Sequence, residues 1–198
     1  MMRSTALAVL IFAGVPAAIV FLKMPLVGFI ALWGLTLYWV SRHPVRLSWP
    51  KWQNTRVILA RAAAGAVFLT LGLWALEPER LLAFPLAMPW RYALVMLIYP
   101  ILSVFPQEIV FRPVFWHLFP GLSRWSRILW NALAFAAAHS IFLNPAAVVL
   151  SFIGGVFLAH TYERHRHFGL VFLEHTLYGW LVFTIGWGVY FYHGTVGG

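Results

Sequence analysis

Seven long apolar stretches run along the chain, at residues 4–22, 25–41, 56–76, 90–119, 126–142, 145–162 and 168–192, with only brief polar interruptions between them. Strands of a membrane barrel would alternate apolar and polar positions, whereas these stretches are continuously apolar and of helical spanning length. The pattern predicts an all-α fold, a polytopic transmembrane helical bundle of about seven crossings that forms a single integral membrane domain over residues 1–198. The fourth stretch stands out, because its 30 residues would make ~45 Å of helix against a hydrocarbon core of ~30 Å. It must tilt, kink or break, and Pro106 and Pro113 mark where. A break at Pro106 would give eight helical segments and leave every loop on the same side.

Composition agrees, with 62% hydrophobic and only 10% charged residues among 198 and a mean hydropathy of +0.82. A water-facing surface cannot be covered with so little charge, which excludes soluble, disordered and coiled-coil classes. Absence of cysteine removes disulfides, thiolate metal sites, cysteine nucleophiles and lipidated cysteines. The net charge of +9 is spread over the polar interruptions, so it reports topology and no nucleic-acid partner. With the N-terminus in the cytoplasm, Arg3, Arg42, Arg46, Lys51, Arg56, Arg124, Arg127, Arg164 and Arg166 fall inside, and Lys23, Arg80 and Arg91 outside. Nine against three satisfies the positive-inside rule and sends the tail from Tyr192 to Gly198 outside. Trp49, Trp52, Trp90 and Trp125 suit the interfacial belts. Arg3 followed by an apolar run and Pro16-Ala17-Ala18 has the look of a signal peptide, but a second apolar stretch follows at once, so residues 4–22 are read as a retained first helix.

Ionisable groups inside hydrocarbon cost ~2.5–3.5 kcal/mol on insertion scales and are candidates for function by default. Glu77, Glu79 and Glu163 fall in loops, leaving Glu108 and Glu174 within apolar stretches, with Arg61, Arg112, His139 and His175, and His117 and His160 near helix ends. Glu108 and Arg112 are four residues apart, so they share a helix face and can pair, either as a structural ion pair or as part of a site. His139 closes Phe135-Ala136-Ala137-Ala138-His139, where small residues permit close helix approach. Measured along their helices, Glu108 lies about 18 Å from the end near Pro120 and His139 about 20 Å from the end near Ser126, so the two can meet in mid-membrane. His175 reaches the same level with a tilt or offset. One carboxylate and two imidazoles converging there can activate a water.

Gln107-Glu108-x-x-x-Arg112, Phe135-x-x-x-His139 and His175-x-x-x-Gly179 stand in this order on successive helical regions. The set resembles the signatures of the CAAX-prenyl-protease and bacteriocin-processing family of glutamic-type intramembrane proteases: Glu-Glu-x-x-x-Arg, Phe-x-x-x-His and His-x-x-x-Asn. The likeness covers residues 88–190 or so, with the motifs within 105–190. Two positions depart from it, Gln107 where the family has its first glutamate and Gly179 where it has asparagine. The stretch Leu173–Gly179 with Phe183-Thr184-Ile185-Gly186 resembles a bacterial subgroup linked to cleavage of C-terminal sorting tails.

The resemblance implies a peptide hydrolase without a cofactor, acting on a membrane-anchored protein substrate, with the lipid bilayer as its surroundings. Its catalytic set would be Glu108, His139, His175, Arg112 and Gln107. Glu108 beside His139 would take a proton from a water that attacks the peptide carbonyl, and His175 would stabilise the oxyanion, helped by Tyr178 or Asn131 in place of the missing asparagine. Arg112 would orient Glu108, Gln107 would donate a hydrogen bond to water or substrate, and Glu174 would fix the His175 tautomer. The location implied is the bacterial inner membrane, with the N-terminus cytoplasmic and the C-terminus outside. Three other readings stand beside this one: a zinc-dependent membrane protease using one Glu and two His, a proton-coupled carrier, and a non-catalytic binding or immunity protein of the same fold.

Overall fold

The computed structural model describes residues 10–14, 17, 25–43 and 50–191. Most of the first apolar stretch, Arg3, Lys23, Arg46, Trp49, the Trp52 side chain and the tail from Tyr192 lie outside the described residues. Seven helices follow one another: α1 (Pro25–Arg42), α2 (Trp52–Leu76), the short α3 (Ala83–Ala87), α4 (Pro89–Leu118), α5 (Arg124–Ala138), α6 (Pro145–His165) and α7 (Phe168–Ile185). Strands are absent among the described residues. Helices α2, α4, α6 and α7 are long and apolar enough to cross a membrane, and α1 is a somewhat shorter apolar helix. Val67, Phe68, Leu71 and Trp74 project from α2 without protein cover, as expected of side chains that meet lipid. Trp90 and Trp125 are exposed at the starts of α4 and α5, opposite ends of the bundle, where interfacial tryptophans belong.

Helix α4 settles what the fourth stretch does: it stays one helix and does not break at Pro106. The ladder widens by one residue over Pro100–Val104 and again over Val110–Val114, two π-turns that absorb the prolines. A proline has no N–H for the carbonyl four residues back. Neighbouring helices supply it instead. Trp180 Nε1 of α7 donates to the Met96 carbonyl that Pro100 leaves free, at 3.0 Å, and Trp33 Nε1 of α1 donates to the Leu102 carbonyl that Pro106 leaves free, at 3.1 Å. Each repair matters, since no water competes for those carbonyls in hydrocarbon.

Helix α5 is shorter than its apolar stretch suggests. Its 15 residues, capped by the Ser123 hydroxyl accepting from the Ser126 amide, give ~22 Å, less than a full crossing. A tighter turn, His139–Phe142, follows, and Leu143 in the left-handed conformation leads to Asn144, whose side chain caps α6. The α5 helix therefore ends with His139 inside the bundle. Gly155 lets α6 lie close to it: a Cβ there would stand 3.2 Å from the Ala132 backbone and 3.3 Å from the Phe135 ring. Helix α7 stops at Gly186, at φ 127°, where any side chain would strike the Arg80 carbonyl oxygen. Phe111, Phe115, Ile128, Phe135, Leu158 and Val171 form the main core between α4, α5, α6 and α7.

Candidate active site

Glu108 and Arg112 sit on successive turns of α4 and are both fully buried. Arg112 Nε donates to Glu108 Oε2 at 2.8 Å and its NH2 reaches Oε1 at 3.4 Å. A guanidinium removed from water needs every N–H satisfied. Asn131 of α5 accepts from Arg112 NH1 and donates through Nδ2 to the Phe111 carbonyl at 2.5 Å, while the face of the Phe135 ring lies 5.3 Å from the guanidinium carbon. The second oxygen of Glu108 is engaged across the bundle, where His175 Nδ1–H of α7 donates to Oε1 at 2.7 Å.

His139 is held differently. Its Nδ1–H donates to the Phe135 carbonyl at 2.7 Å, closing the last turn of α5. With Nδ1 of both imidazoles committed as donor, the neutral rings carry their lone pair on Nε2. Phe135 arranges the two, with ring centroids 4.5 Å from His139 and 5.5 Å from His175. Both histidines, with Tyr99, Ser103, Gln107 and Gly179, line a cavity of about 490 Å³. A second, apolar cavity of about 680 Å³ against α1 shares Ser103, Gln107 and His139 with the first. Gln107 donates through Nε2 to Ser103 Oγ at 2.7 Å, and its Oε1 has no partner among the described residues.

The five sequence candidates Gln107, Glu108, Arg112, His139 and His175 therefore come together. Their arrangement differs from the expected one in four respects. Glu108 is not part of either cavity wall, since Arg112 and His175 take both its oxygens, and the half-buried Gln107 is the residue of that pair that lines both cavities. Glu174 does not touch His175: neighbours on a helix point about 100° apart, and Glu174 instead accepts from Arg61 NH1 at 3.1 Å and Tyr178 hydroxyl at 2.8 Å. That bond occupies the Tyr178 hydroxyl, and Asn131 is occupied by Arg112 and Phe111, so neither is free to replace the asparagine missing at position 179. The space over Gly179 is already filled by the tip of Tyr99. Arg61, suspected as an intramembrane base, is the ion-pair partner of Glu174 and also donates to Thr161 Oγ1 at 3.0 Å, tying α2 to α6 and α7.

Sequence reasoning missed Tyr99 and Ser103. The i, i+4 spacing of Ser103 and Gln107 was the one available signal. Tyr99 gave none, being one aromatic in a continuous apolar run. His117 stands with Trp39 and His43 at the far end of α4, apart from the site. Among the described residues, no three His, Asp or Glu side chains form a set that could hold a metal ion.

No curated protein and no solved structure gives a significant match to the chain. A family model does, type II CAAX prenyl endopeptidase Rce1-like, over residues 89–181. Those residues carry α4 through most of α7, and with them both cavity histidines and the buried Glu108–Arg112 pair. Over residues 89–181, the part that builds the site, the chain is similar to the Rce1-like family of type II CAAX prenyl endopeptidases.

Proposed function

We propose that this protein is a glutamate-dependent intramembrane endopeptidase in which Glu108 acts through His175. The observation that carries the reading is the 2.7 Å bond from His175 Nδ1–H to the buried Glu108 carboxylate, which orients the ring, fixes its tautomer and stabilises the imidazolium it forms, as a carboxylate does for a catalytic histidine elsewhere. A water bound between His139 Nε2 and His175 Nε2 donates one hydrogen to each. Its oxygen adds to the peptide carbonyl carbon as its proton passes to His175 Nε2, and the carbonyl electron pair moves onto oxygen. Gln107, whose amide keeps one N–H beyond its bond to Ser103, donates to that oxygen. When the tetrahedral intermediate collapses, the C–N bond breaks and the His175 proton goes to the departing amine. Arg112 and Asn131 hold Glu108 in place.

The substrate is a membrane-anchored protein cut near a C-terminal segment, with a C-terminal sorting tail as the class favoured by the Leu173–Gly179 stretch. The apolar walls of both cavities suit an entering lipid-soluble segment. The membrane is the bacterial inner membrane, with the N-terminus in the cytoplasm and the C-terminus outside, a disposition supported by the basic-residue count. A reporter fused after Gly198 should be active only outside; activity in the cytoplasm would reverse the topology. The cleavage reading is tested with purified protein in liposomes, offered a single-span reporter with an apolar C-terminal tail and a farnesylated CAAX peptide. Mass spectrometry should find a new C-terminus with the wild type and none with Glu108→Gln.

A further inference from the structure

Position 179 has no side chain, yet the space above it is not empty. A Cβ built on Gly179 would stand 2.2 Å from Cε1 and 2.3 Å from the hydroxyl oxygen of Tyr99. Gly179 is one turn beyond His175 on the same face of α7, so Cβ positions on the two residues are ~5–6 Å apart. The tyrosine hydroxyl therefore lies over that face, one turn from the imidazole. Its ring meets His175 edge to face at 6.2 Å and Phe183 at 5.4 Å, which leaves it little freedom to turn away. Tyr99 lines the same cavity as Gln107, His139 and His175, and its hydroxyl has no hydrogen-bond partner among the described residues. Tyr178 and Asn131 are engaged, the first with Glu174 and the second with Arg112 and the Phe111 carbonyl, which leaves Tyr99 beside the Gln107 amide as a second donor in this cavity.

We infer that the Tyr99 hydroxyl is an oxyanion donor, reaching over Gly179 from α4 to serve the carbonyl that His175 and His139 present to water. The inference rests on the hydrolase reading above. The hydroxyl keeps its proton throughout: it donates a hydrogen bond as the carbonyl oxygen gains charge and weakens it when the C–N bond breaks, while the transferred proton travels only between water, His175 and the leaving amine. Glycine at 179 is the complement of this tyrosine, since any larger residue would displace the ring.

Tyr99→Phe removes the hydroxyl and keeps the ring, so folding should be preserved. Assayed with whichever liposome probe the wild type cleaves, kcat should fall ~10²–10³-fold, the effect of losing one oxyanion donor, with KM within twofold. Gly179→Asn should lose activity through collision with the ring, and adding Tyr99→Ala should restore part of it by making room for a carboxamide donor. A Tyr99→Phe enzyme that keeps kcat within tenfold, or loses only KM, beside an inactive Glu108→Gln would sink the role of Tyr99 and leave the hydrolase reading intact. No cleavage of either probe by the wild type, or full activity of Glu108→Gln, would sink the hydrolase reading and this inference with it.

Discussion

Replacing Glu108 with glutamine changes one atom and one charge, and the structure says where each effect goes. The carboxylate now accepts from two donors that it cannot both satisfy as an amide: Arg112 Nε at 2.8 Å on one oxygen and His175 Nδ1 at 2.7 Å on the other. The buried guanidinium has the stronger claim on the remaining oxygen, so the amide NH2 turns toward His175. Nδ1 must then accept, the proton moves to Nε2, and the ring presents a donor where the water needs a lone pair. A wrong-tautomer histidine costs about 10⁴ in kcat in the best-studied carboxylate–histidine pair, and loss of general-base catalysis alone costs at least ~10². The expected fall therefore lies in the range of ~10²–10⁴. Stability should drop less than the ~3–5 kcal/mol of an orphaned buried charge, because Arg112 keeps Asn131, the Phe111 carbonyl and the Phe135 face. The assay is single-turnover cleavage in liposomes beside thermal unfolding in detergent. A folded Glu108→Gln variant cleaving within tenfold of wild type would show the Glu108–Arg112 pair to be structural and favour the non-catalytic member of the alternatives.

Two further predictions concern how the bundle is held. Trp180→Phe should destabilise the protein by ~1–3 kcal/mol, the cost of leaving the Met96 carbonyl unpaired, and the cost should shrink in a Pro100→Ala background, where a backbone N–H returns; equal losses in both backgrounds would refute the indole repair. Outside the apolar helices, Glu77 accepts from the Tyr190 hydroxyl and from Arg80, and the tyrosine bond, with Arg80 assisting, holds its carboxyl below the usual carboxylate range against the opposing effect of burial. A depressed folded-state value stabilises fully above the unfolded carboxylate pKa of ~4.3 and is lost as pH falls through the folded value. Melting temperature of the wild type should thus decline in acid more steeply than that of Glu77→Gln, and parallel acid profiles would contradict the linkage.

Much of the architecture was present in the order of residues, because hydrocarbon offers the backbone a single economical solution per apolar run and that solution is local. The stretches at 56–76, 145–162 and 168–192 became α2, α6 and α7 for that reason, with ends moved by caps and by Gly186. The Glu108–Arg112 pair was equally legible, being one turn apart on one helix. Local pattern did not settle the fate of α4, since whether Pro100 and Pro106 kink or break it depended on Trp180 and Trp33 arriving from α7 and α1 with spare N–H groups. Nor did it settle which carboxylate faces His175. Sequence proximity favoured Glu174, next in the chain, yet helix geometry turned that residue toward Arg61 and brought Glu108 from 67 positions away. Tyr99 over Gly179 is the same kind of fact. Hydrophobic patterning fixes which face of a helix is apolar, but hydrogen bonds need atoms placed to a few tenths of an ångström, and only the packing of α4, α5 and α7 on one another sets those distances.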